Sequence, residues 1–528
     1  MVSYTFKIEN DMKRLLTWLF TVLTTVSITY SNTLPLVPYP QQVKVTEGNL
    51  SIPDNITLQG EAPASPTIDY IRKELHSLGL NANIVASSSR PFLKLQLNKR
   101  IKGSEAYHLN ICKEGIRIQA STAQGLFYGF QTLKQLIDQS NKTLPCVAIK
   151  DEPAFSWRAF MLDEARHFKG KETVKKLLDE MAALKLNVFH WHLTDDQGWR
   201  IEIKKYPLLT EIGSKRDSTQ TGGNSRSTTY RIEPHSGYYT QEEIADVIRY
   251  AQQRHITIVP EIEMPGHASA AIAAYQWLGT GTTPGYVQAK FGVFENVYNV
   301  VDPRVRGFFQ DVLSEVIDLF PGKVIHIGGD EVRYNQWLAS PQVLSFMKEH
   351  KMSDPAEVQI WFTNNISEFI ASKGRRMMGW NEITGDKVHN DVPATEGKLD
   401  TQLAKNAIVH FWKGDPDLIR KAVERGHLVV NSFHSYTYLD YTYQNLPLEK
   451  SYSFRPIAES IPKKYHKQII GLGAQMWSEW IPTEADMYKQ IFPRLAAYAE
   501  CGWTQQENKS WERFKKIADT RWVNENTK

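Results

Sequence analysis

Asp330 and Glu331 are adjacent carboxylates that directly follow Gly328-Gly329. A glycine pair lets the backbone turn sharply and come close to a ligand. Neighbouring carboxylates repel, and with partial burial the repulsion raises one pKa and favours a protonated acid at neutral pH. Such an acid can protonate a leaving oxygen, the step that cleavage of a glycosidic bond needs. Taken alone, Gly-Gly-Asp-Glu is equally well a solvated turn. Its company argues otherwise. The chain also carries Asp163-Glu164-Ala165-Arg166-His167, His190-Trp191-His192-Leu193-Thr194-Asp195-Asp196 and Glu261-Ile262-Glu263-Met264-Pro265-Gly266-His267. Beyond the pair come Gly379-Trp380-Asn381-Glu382, Phe411-Trp412 and Trp477-Ser478-Glu479. Carboxylate, His, Arg and Trp stand where a packed core would carry Val, Ile or Leu.

Each cluster ends a short apolar run, so the next question is what holds the runs together. Eight runs read as strands: Ala159–Leu162, Asn187–Leu193, Ile256–Ile262, Val324–Ile327, Arg376–Trp380, Ile408–Trp412, Leu428–Asn431 and Ile469–Met476. Amphipathic helices fall between most of them. One carries Val174, Leu177, Leu178 and Met181 on one face, another Ile244, Val247, Ile248 and Ala251. Thr240 and Glu243 predict a capping box, with Tyr239 and Ile244 as a hydrophobic staple. Pro321-Gly322 stops the helix ending near Phe320. Alternating strand and helix in eight units predict an α/β fold, a (β/α)8 TIM barrel over 153–505, with the active site at the C-terminal ends of its strands. The largest insertion is polar, around Gly222 to Thr229, and a helical tail follows over 506–528.

Residues 34–152 read as a small α/β domain before the barrel. Phe92–Leu97 and Ile116–Ala120 alternate like half-buried strands. Ile68, Ile71 and Leu75 mark one helix, and Gly125 to Ile137 a second. No catalytic cluster stands out here. At the N-terminus, Lys13-Arg14, the apolar run Leu15 to Val26 and a small-residue stretch to Ser31 predict an export leader over 1–31. That places the mature protein outside the cytoplasm, secreted or periplasmic, with no membrane span once the leader is gone. An uncleaved anchor is the alternative. Net charge is +4 over 528 residues and the Lys and Arg are dispersed, so nothing reads as a nucleic-acid stripe. The 14 Trp are more telling, since indole faces suit sugar rings as well as cores. Cys112, Cys146 and Cys501 are too few and too far apart for a disulfide scaffold or a CxxC metal site. Cys112 and Cys146 either pair or stay as buried thiols.

His190-x-His192 permits a rival chemistry. Alternate strand residues share a face, so the two imidazoles could hold a metal with Asp195 as third ligand. The other tips supply Trp and Arg rather than further ligands, which favours hydrogen-bonded support.

The run His190 to Arg200 (His-Trp-His-Leu-Thr-Asp-Asp-Gln-Gly-Trp-Arg) resembles a hallmark of family 20 glycoside hydrolases, the β-N-acetylhexosaminidases. So do Pro260 to His267 and His326 to Glu331. The likeness spans roughly 35 to 505, small domain included, with no departure at a catalytic position. It implies a substrate-assisted route without a protein nucleophile, in which the sugar's 2-acetamido oxygen attacks the anomeric carbon. By that likeness Glu331 is the general acid and then base, Asp330 orients the acetamido N–H, and Tyr438 holds its oxygen. Trp380, Trp412 and Trp477 resemble the aromatic box around the acetamido methyl. Arg166 resembles the clamp on the 3- and 4-hydroxyls, with Asp440 and Glu479 on the outer hydroxyls. His267 and Asp195 resemble a chain that tunes Glu331. The implied partners are oligosaccharides or glycans ending in N-acetylhexosamine, attacked from the non-reducing end. No metal or organic cofactor is implied. A silent sugar-binding protein on the same fold would have no need to keep the acid.

Overall fold

The computed structural model of the chain describes residues 33–61, 64–85, 90–282, 285–388, 399 and 401–523. The stretch read as a leader lies outside the described residues.

Seven strands build the first sheet: β1 (Gln42–Ser51), β2 (Asn55–Gln59), β3 (Asn81–Ile84), β4 (Leu93–Leu97), β5 (Tyr107–Cys112), β6 (Gly115–Ala120) and β7 (Thr143–Asp151). Their order across it is β1-β7-β5-β6-β4-β2-β3. Helix α1 (Ser65–Ser77) buries Ile68, Ile71 and Leu75, spaced by three and four, against α2 (Ala123–Asp138). Helix α2 packs in turn on β4, β5, β6 and β7. The sequence reading anticipates both helices, β4 and β6, and misses the other five strands.

The next eight strands close a parallel barrel in chain order: β8 (Trp157–Asp163), β9 (Val188–His192), β10 (Thr257–Glu261), β11 (Val324–His326), β12 (Arg376–Trp380), β13 (Ile408–Phe411), β14 (Leu428–Asn431) and β15 (Ile469–Met476). They are the eight runs read from sequence, to within a residue or two at each end. Helices α3 (Lys171–Ala183), α4 (Gln241–Gln252), α5 (Pro303–Leu319), α6 (Pro355–Ser372), α7 (Asp417–Glu424), α8 (Glu484–Ile491) and α9 (Arg494–Trp503) accompany them. Between β12 and β13 the described residues carry only a 3-10 turn, Asn381–Thr384. The capping box forms as predicted: Thr240 Oγ1 accepts from the Glu243 N–H, and the Glu243 carboxylate accepts from the Thr240 N–H. Tyr239 and Ile244 are both fully buried.

The barrel interior changes character from one end to the other. At its lower end Ala159, Val188 and Val259 form one apolar cluster, and Met378, Ile408 and Val430 another. At the upper end the register aligns polar residues instead. Asp163 lies beside His192, His192 beside Glu261, and Glu261 beside His326. Parallel pairing thus delivers the strand tips as a continuous belt.

The small domain meets the barrel through a buried ionic knot. Lys185, just past α3, donates to Asp151 at 3.1 Å and to the Tyr107 hydroxyl at 2.9 Å. Its ammonium also lies 4.4 Å from the Trp503 ring centroid, and the Trp503 indole donates to Asp151. Arg158 reaches back to Glu105 at 2.7 Å. Helix α10 (Trp511–Ala518) follows the barrel and stacks Phe514 on Tyr452. Cys112, Cys146 and Cys501 are free thiols.

Candidate active site

The Asp330-Glu331 pair sits on a loop of unusual backbone. Gly328 and Gly329 have φ of 65° and 91°, and Glu331 itself has φ 52°. A Cβ on Gly328 would stand 1.7 Å from the Glu263 carboxylate, and one on Gly329 would be 2.5 Å from Ile383. Only glycine permits this approach. A non-glycine residue held at positive φ stores strain, and such residues gather at functional sites. His267, opposite the pair, is a second, at φ 48°.

His267 joins two sets of carboxylates. Its Nδ1–H faces Asp195 at 3.2 Å and Asp196 at 3.1 Å. Its Nε2 is 3.7 Å from both Asp330 and Glu331. Burial alone would push the imidazolium down; Asp195, Asp196 and Asp330 outweigh it and hold His267 well above its ordinary value. Asp195 is held low against its burial by Arg166 and His267. Asp330 is held well above the ordinary carboxylate range. Burial is the main cause; His267 opposes it, and Glu382, Glu331 and Glu261 reinforce it. The Asp330 side chain is 10% exposed and that of Glu331 24%. Asp330 also keeps a buried Oδ1 with no protein partner.

Beside the pair stands an aromatic enclosure. Trp380, Trp412 and Tyr438 form one buried cluster, with Trp477 and Tyr441 packed on it. Trp412 and Tyr438 stack, 5.9 Å apart with planes 6° from parallel. Trp380 lies 6.0 Å from Trp477, and Tyr438 also 6.0 Å from Trp477. The indoles are tethered: Trp380 donates to Glu261 at 2.8 Å and Trp412 to Glu382 at 2.9 Å. Burial holds the Tyr438 phenol well above its ordinary value, so it remains a hydrogen-bond donor.

A third group lies beyond Trp477. The Arg166 guanidinium sits 5.0 Å from the Trp477 ring centroid, 2.7 Å from Asp195 and 3.1 Å from Asp163. It is 3.8 Å from Glu479. Burial and the Glu479 charge push the Asp440 carboxyl well above its usual range. Asp440 Oδ1 likewise has no protein partner. Burial leaves Glu479 raised, with Arg166 opposing it. All eleven residues singled out from the sequence therefore fall into three adjoining groups at one end of the barrel.

In the layer beneath, the sequence reading named only His190 and His192, as hydrogen-bonded support rather than metal ligands. His192 bridges Asp163 at 3.2 Å and Glu263 at 3.3 Å. His190 Nε2 is 2.7 Å from Glu261, and so is tied to a different carboxylate from His192. His190, His192 and Asp195 do not come together as one ligand set. Among the described residues the close His and carboxylate groups are His190-Glu261-His326, His192-Glu261-Glu263, Asp195-Asp196-His267 and His267-Asp330-Glu331. In the first three, His and carboxylate side chains face one another inside the protein. Asp163, Asp196, Glu261 and Glu263 all stand in the quoted strand tips, so composition flagged them, but only the barrel register pairs them.

Comparison with known proteins bears on this geometry. The model for "Glycosyl hydrolase family 20, catalytic domain" matches residues 155–506, and that for the family's domain 2 matches 33–152. A beta-hexosaminidase of Porphyromonas gingivalis is 36% identical over 92% of this chain, which spans 62% of that relative's length. One of Vibrio furnissii is 34% identical over 90% of this chain and 78% of its own. The solved GH20 exo-β-N-acetylglucosaminidase of Vibrio harveyi, in complex with N-acetylglucosamine, superposes with a TM-score of 0.80 at 31% identity, covering 94% of this chain and 78% of that one. With both family models matched in order and a barrel that carries the acid pair at its fourth strand, the chain belongs to glycosyl hydrolase family 20.

Proposed function

We propose that this protein is an exo-acting, retaining β-N-acetylhexosaminidase. It removes terminal GlcNAc or GalNAc from the non-reducing end of oligosaccharides or glycoconjugates, with the substrate's acetamido group as nucleophile. The observation that carries the reading is Asp330: a buried carboxylate with an unpartnered oxygen, next in sequence to the acid Glu331 and near enough to Tyr438 of the aromatic box to help hold its phenol up. A buried acceptor left unpaired is costly, so such a group calls for a donor from outside the protein. An acetamido N–H is such a donor, and the enclosing rings suit its methyl.

The steps then follow from the residues. Tyr438 donates to the acetamido oxygen and holds it in line with the anomeric carbon, which is where orientation contributes most. Glu331 protonates the leaving oxygen as the acetamido oxygen attacks. Positive charge develops on the cyclised group, and the Asp330 carboxylate, accepting the acetamido N–H, stabilises it. Glu331 then takes a proton from water, which opens the ring. His267 can relay charge between Asp195 and the pair. Arg166, Asp440 and Glu479 bind the outer hydroxyls and close the non-reducing end, which favours exo action.

We also read residues 1–31 as an export leader, so that the enzyme works outside the cytoplasm on extracellular or periplasmic glycans. No helix among the described residues is long and apolar enough to cross a membrane. A chromogenic β-GlcNAc assay with and without chelator tests the activity. Release of the chromophore in both supports the reading. Binding without turnover indicates a lectin-like protein, and loss on chelation a metal-dependent hydrolase.

A further inference from the structure

Arg494 opens α9, and its side chain is fully buried. Among the described residues its hydrogen bonds go only to uncharged oxygens. Nη2 donates to the Leu439 carbonyl at 2.7 Å, and Nη1 to the Tyr441 carbonyl at 2.8 Å. A longer contact, 3.4 Å, joins Nη1 to the Leu446 carbonyl. Nε and Nη2 share the Gln490 carbonyl at 3.0 and 2.7 Å, and Nη2 lies 2.7 Å from Gln490 Oε1. The guanidinium carbon sits 4.1 Å from the Tyr443 ring centroid.

A cation enclosed without a carboxylate partner is costly, and apolar packing would seat the start of a helix at less expense. What a guanidinium adds is a planar fork whose donors point in fixed directions. Here the fork is aimed at one short stretch of backbone. Its two shortest bonds to that stretch fall on either side of Asp440. Leu439 also follows Tyr438 directly, and its N–H donates to the Gln475 carbonyl of β15 at 2.7 Å. The residue between the two sugar-facing side chains is therefore held by its N–H from β15 and by its carbonyl from α9. The stretch belongs to no strand or long helix; it follows a single helical turn, His434–Thr437. Its geometry depends on these outside contacts.

We infer that Arg494 is a positioning residue. Through the Leu439 and Tyr441 carbonyls it fixes the separation of the Tyr438 hydroxyl from the Asp440 carboxyl, so that one sugar is gripped at its acetamido oxygen and at an outer hydroxyl together. The inference rests on the roles proposed above for those two side chains. Arg494 acts through the backbone and needs no contact with the sugar. A lysine could meet one carbonyl or the other, but cannot hold both in a fixed fork.

The test uses the full chain, a thiazoline mimic of the cyclised acetamido group, and four aryl β-glycosides: GlcNAc and its 3-, 4- and 6-deoxy forms. Asp440→Ala shows which of the 4- and 6-hydroxyls that carboxyl binds, as the deoxy penalty it removes. Arg494→Lys should shrink the same penalty at least ~3-fold in kcat/KM and raise the thiazoline inhibition constant at least ~10-fold. The 3-deoxy penalty, set by Arg166 on another strand tip, should move no more than about twofold. Such ratios and inhibition constants do not depend on how much of the protein is folded. A merely structural role would lower yield and melting temperature and leave them unchanged. Gln490→Ala removes one tether of the guanidinium at a partly exposed position, and should move both readouts the same way by about twofold. It decides the matter if Arg494→Lys fails to fold.

Unchanged readouts in the variants that fold overturn the inference. So does a change in only one of the two, since both grips are set by the same fork, and so does an equal loss at all three deoxy positions. If Asp440→Ala alters neither penalty, Arg494 has no sugar contact to position there and the inference falls. If the parent cleaves no glycoside, the hexosaminidase reading itself has failed, and the inference with it.

Discussion

The indole N–H of Trp380 donates to the carboxylate of Glu261 across 2.8 Å, at the floor of the aromatic box. Glu261 is fully buried and serves three neighbours at once. His326 Nδ1 is 2.8 Å from the same oxygen, and His190 Nε2 is 2.7 Å from the other. The chain continues from His326 to His410 at 3.2 Å and on to Ser432 at 2.7 Å. Trp380 also stacks on His410, 4.1 Å away. The box is positioned by a polar core rather than by apolar packing alone.

Removing Glu261 should therefore loosen the floor. Glu261→Ala leaves the Trp380 indole without its acceptor and removes the carboxylate that His190 and His326 face, and breaking a buried pair costs about 3–5 kcal/mol. Glu261→Gln keeps an acceptor for Trp380 and should cost less. Denaturant unfolding checks the stability change. KM for an N-acetyl substrate should rise in the Ala variant. An Ala variant as stable as the parent, with the same KM, would refute the anchoring role.

Glu331→Gln should fold normally and lose roughly 10²–10⁴-fold in kcat on substrates with poor leaving groups, the usual contribution of a general acid. Aryl glycosides with good leaving groups should suffer less in the first step. Equal activity of variant and parent on a natural disaccharide would remove Glu331 from its role.

A thiazoline that copies the cyclised intermediate should inhibit far more tightly than substrate binds. Asp330→Asn and Tyr438→Phe should each weaken that inhibitor and slow turnover, since both residues meet the same group before and after cyclisation. Inhibition constants for the three proteins decide it. A covalent fluorosugar adduct on Asp330 or Glu331, with no thiazoline inhibition, would overturn the substrate-assisted route.

Glu164 provides a stability test away from the chemistry. It is fully buried at the end of β8, and its Oε2 accepts the Lys169 N–H at 2.6 Å. Burial, opposed in part by Lys169, raises its carboxyl from 4.5 to about 7. Between those values the folded state keeps a proton that the unfolded chain has lost, so stability falls as pH rises through the window. The loss is at most about 3 kcal/mol at 1.36 kcal/mol per unit. Glu164→Gln retains an acceptor, cannot ionise, and should flatten that slope. Melting curves from pH 4.5 to 7.5 check it; an unchanged slope would place the pH dependence elsewhere.

How much of this was legible in the sequence depended on the kind of contact involved. The barrel strands were, because a strand buried on both faces reads as a continuous apolar run. The first sheet was less so. Strand β1 exposes most of its length and carries polar residues throughout, while β7 contains Pro145. Strand β5 buries Tyr107, Leu109 and Ile111 in alternation, a period-two pattern as long as that of β6, and it went unread. The chemistry-bearing tips were legible because polar residues are rare at strand ends that face a core. Their partners were not. Glu261 meets His326 only through the register of β10 and β11.

The knot around Lys185 bears on how variants of this enzyme should be interpreted. Its ammonium is fully enclosed by groups from both parts of the chain: Asp151 and Tyr107 from the first sheet, Trp503 from the barrel. Cut away the first sheet through Asp151, and a cation with its aromatic surroundings is left bare on the barrel's flank. The small domain holds none of the groups assigned to the chemistry, yet the barrel is not a detachable unit. Inactivity caused by a change at Asp151 or Tyr107 would report lost protein rather than a slowed reaction. Any screen that scores activity alone would mistake the hinge-pin for the blade.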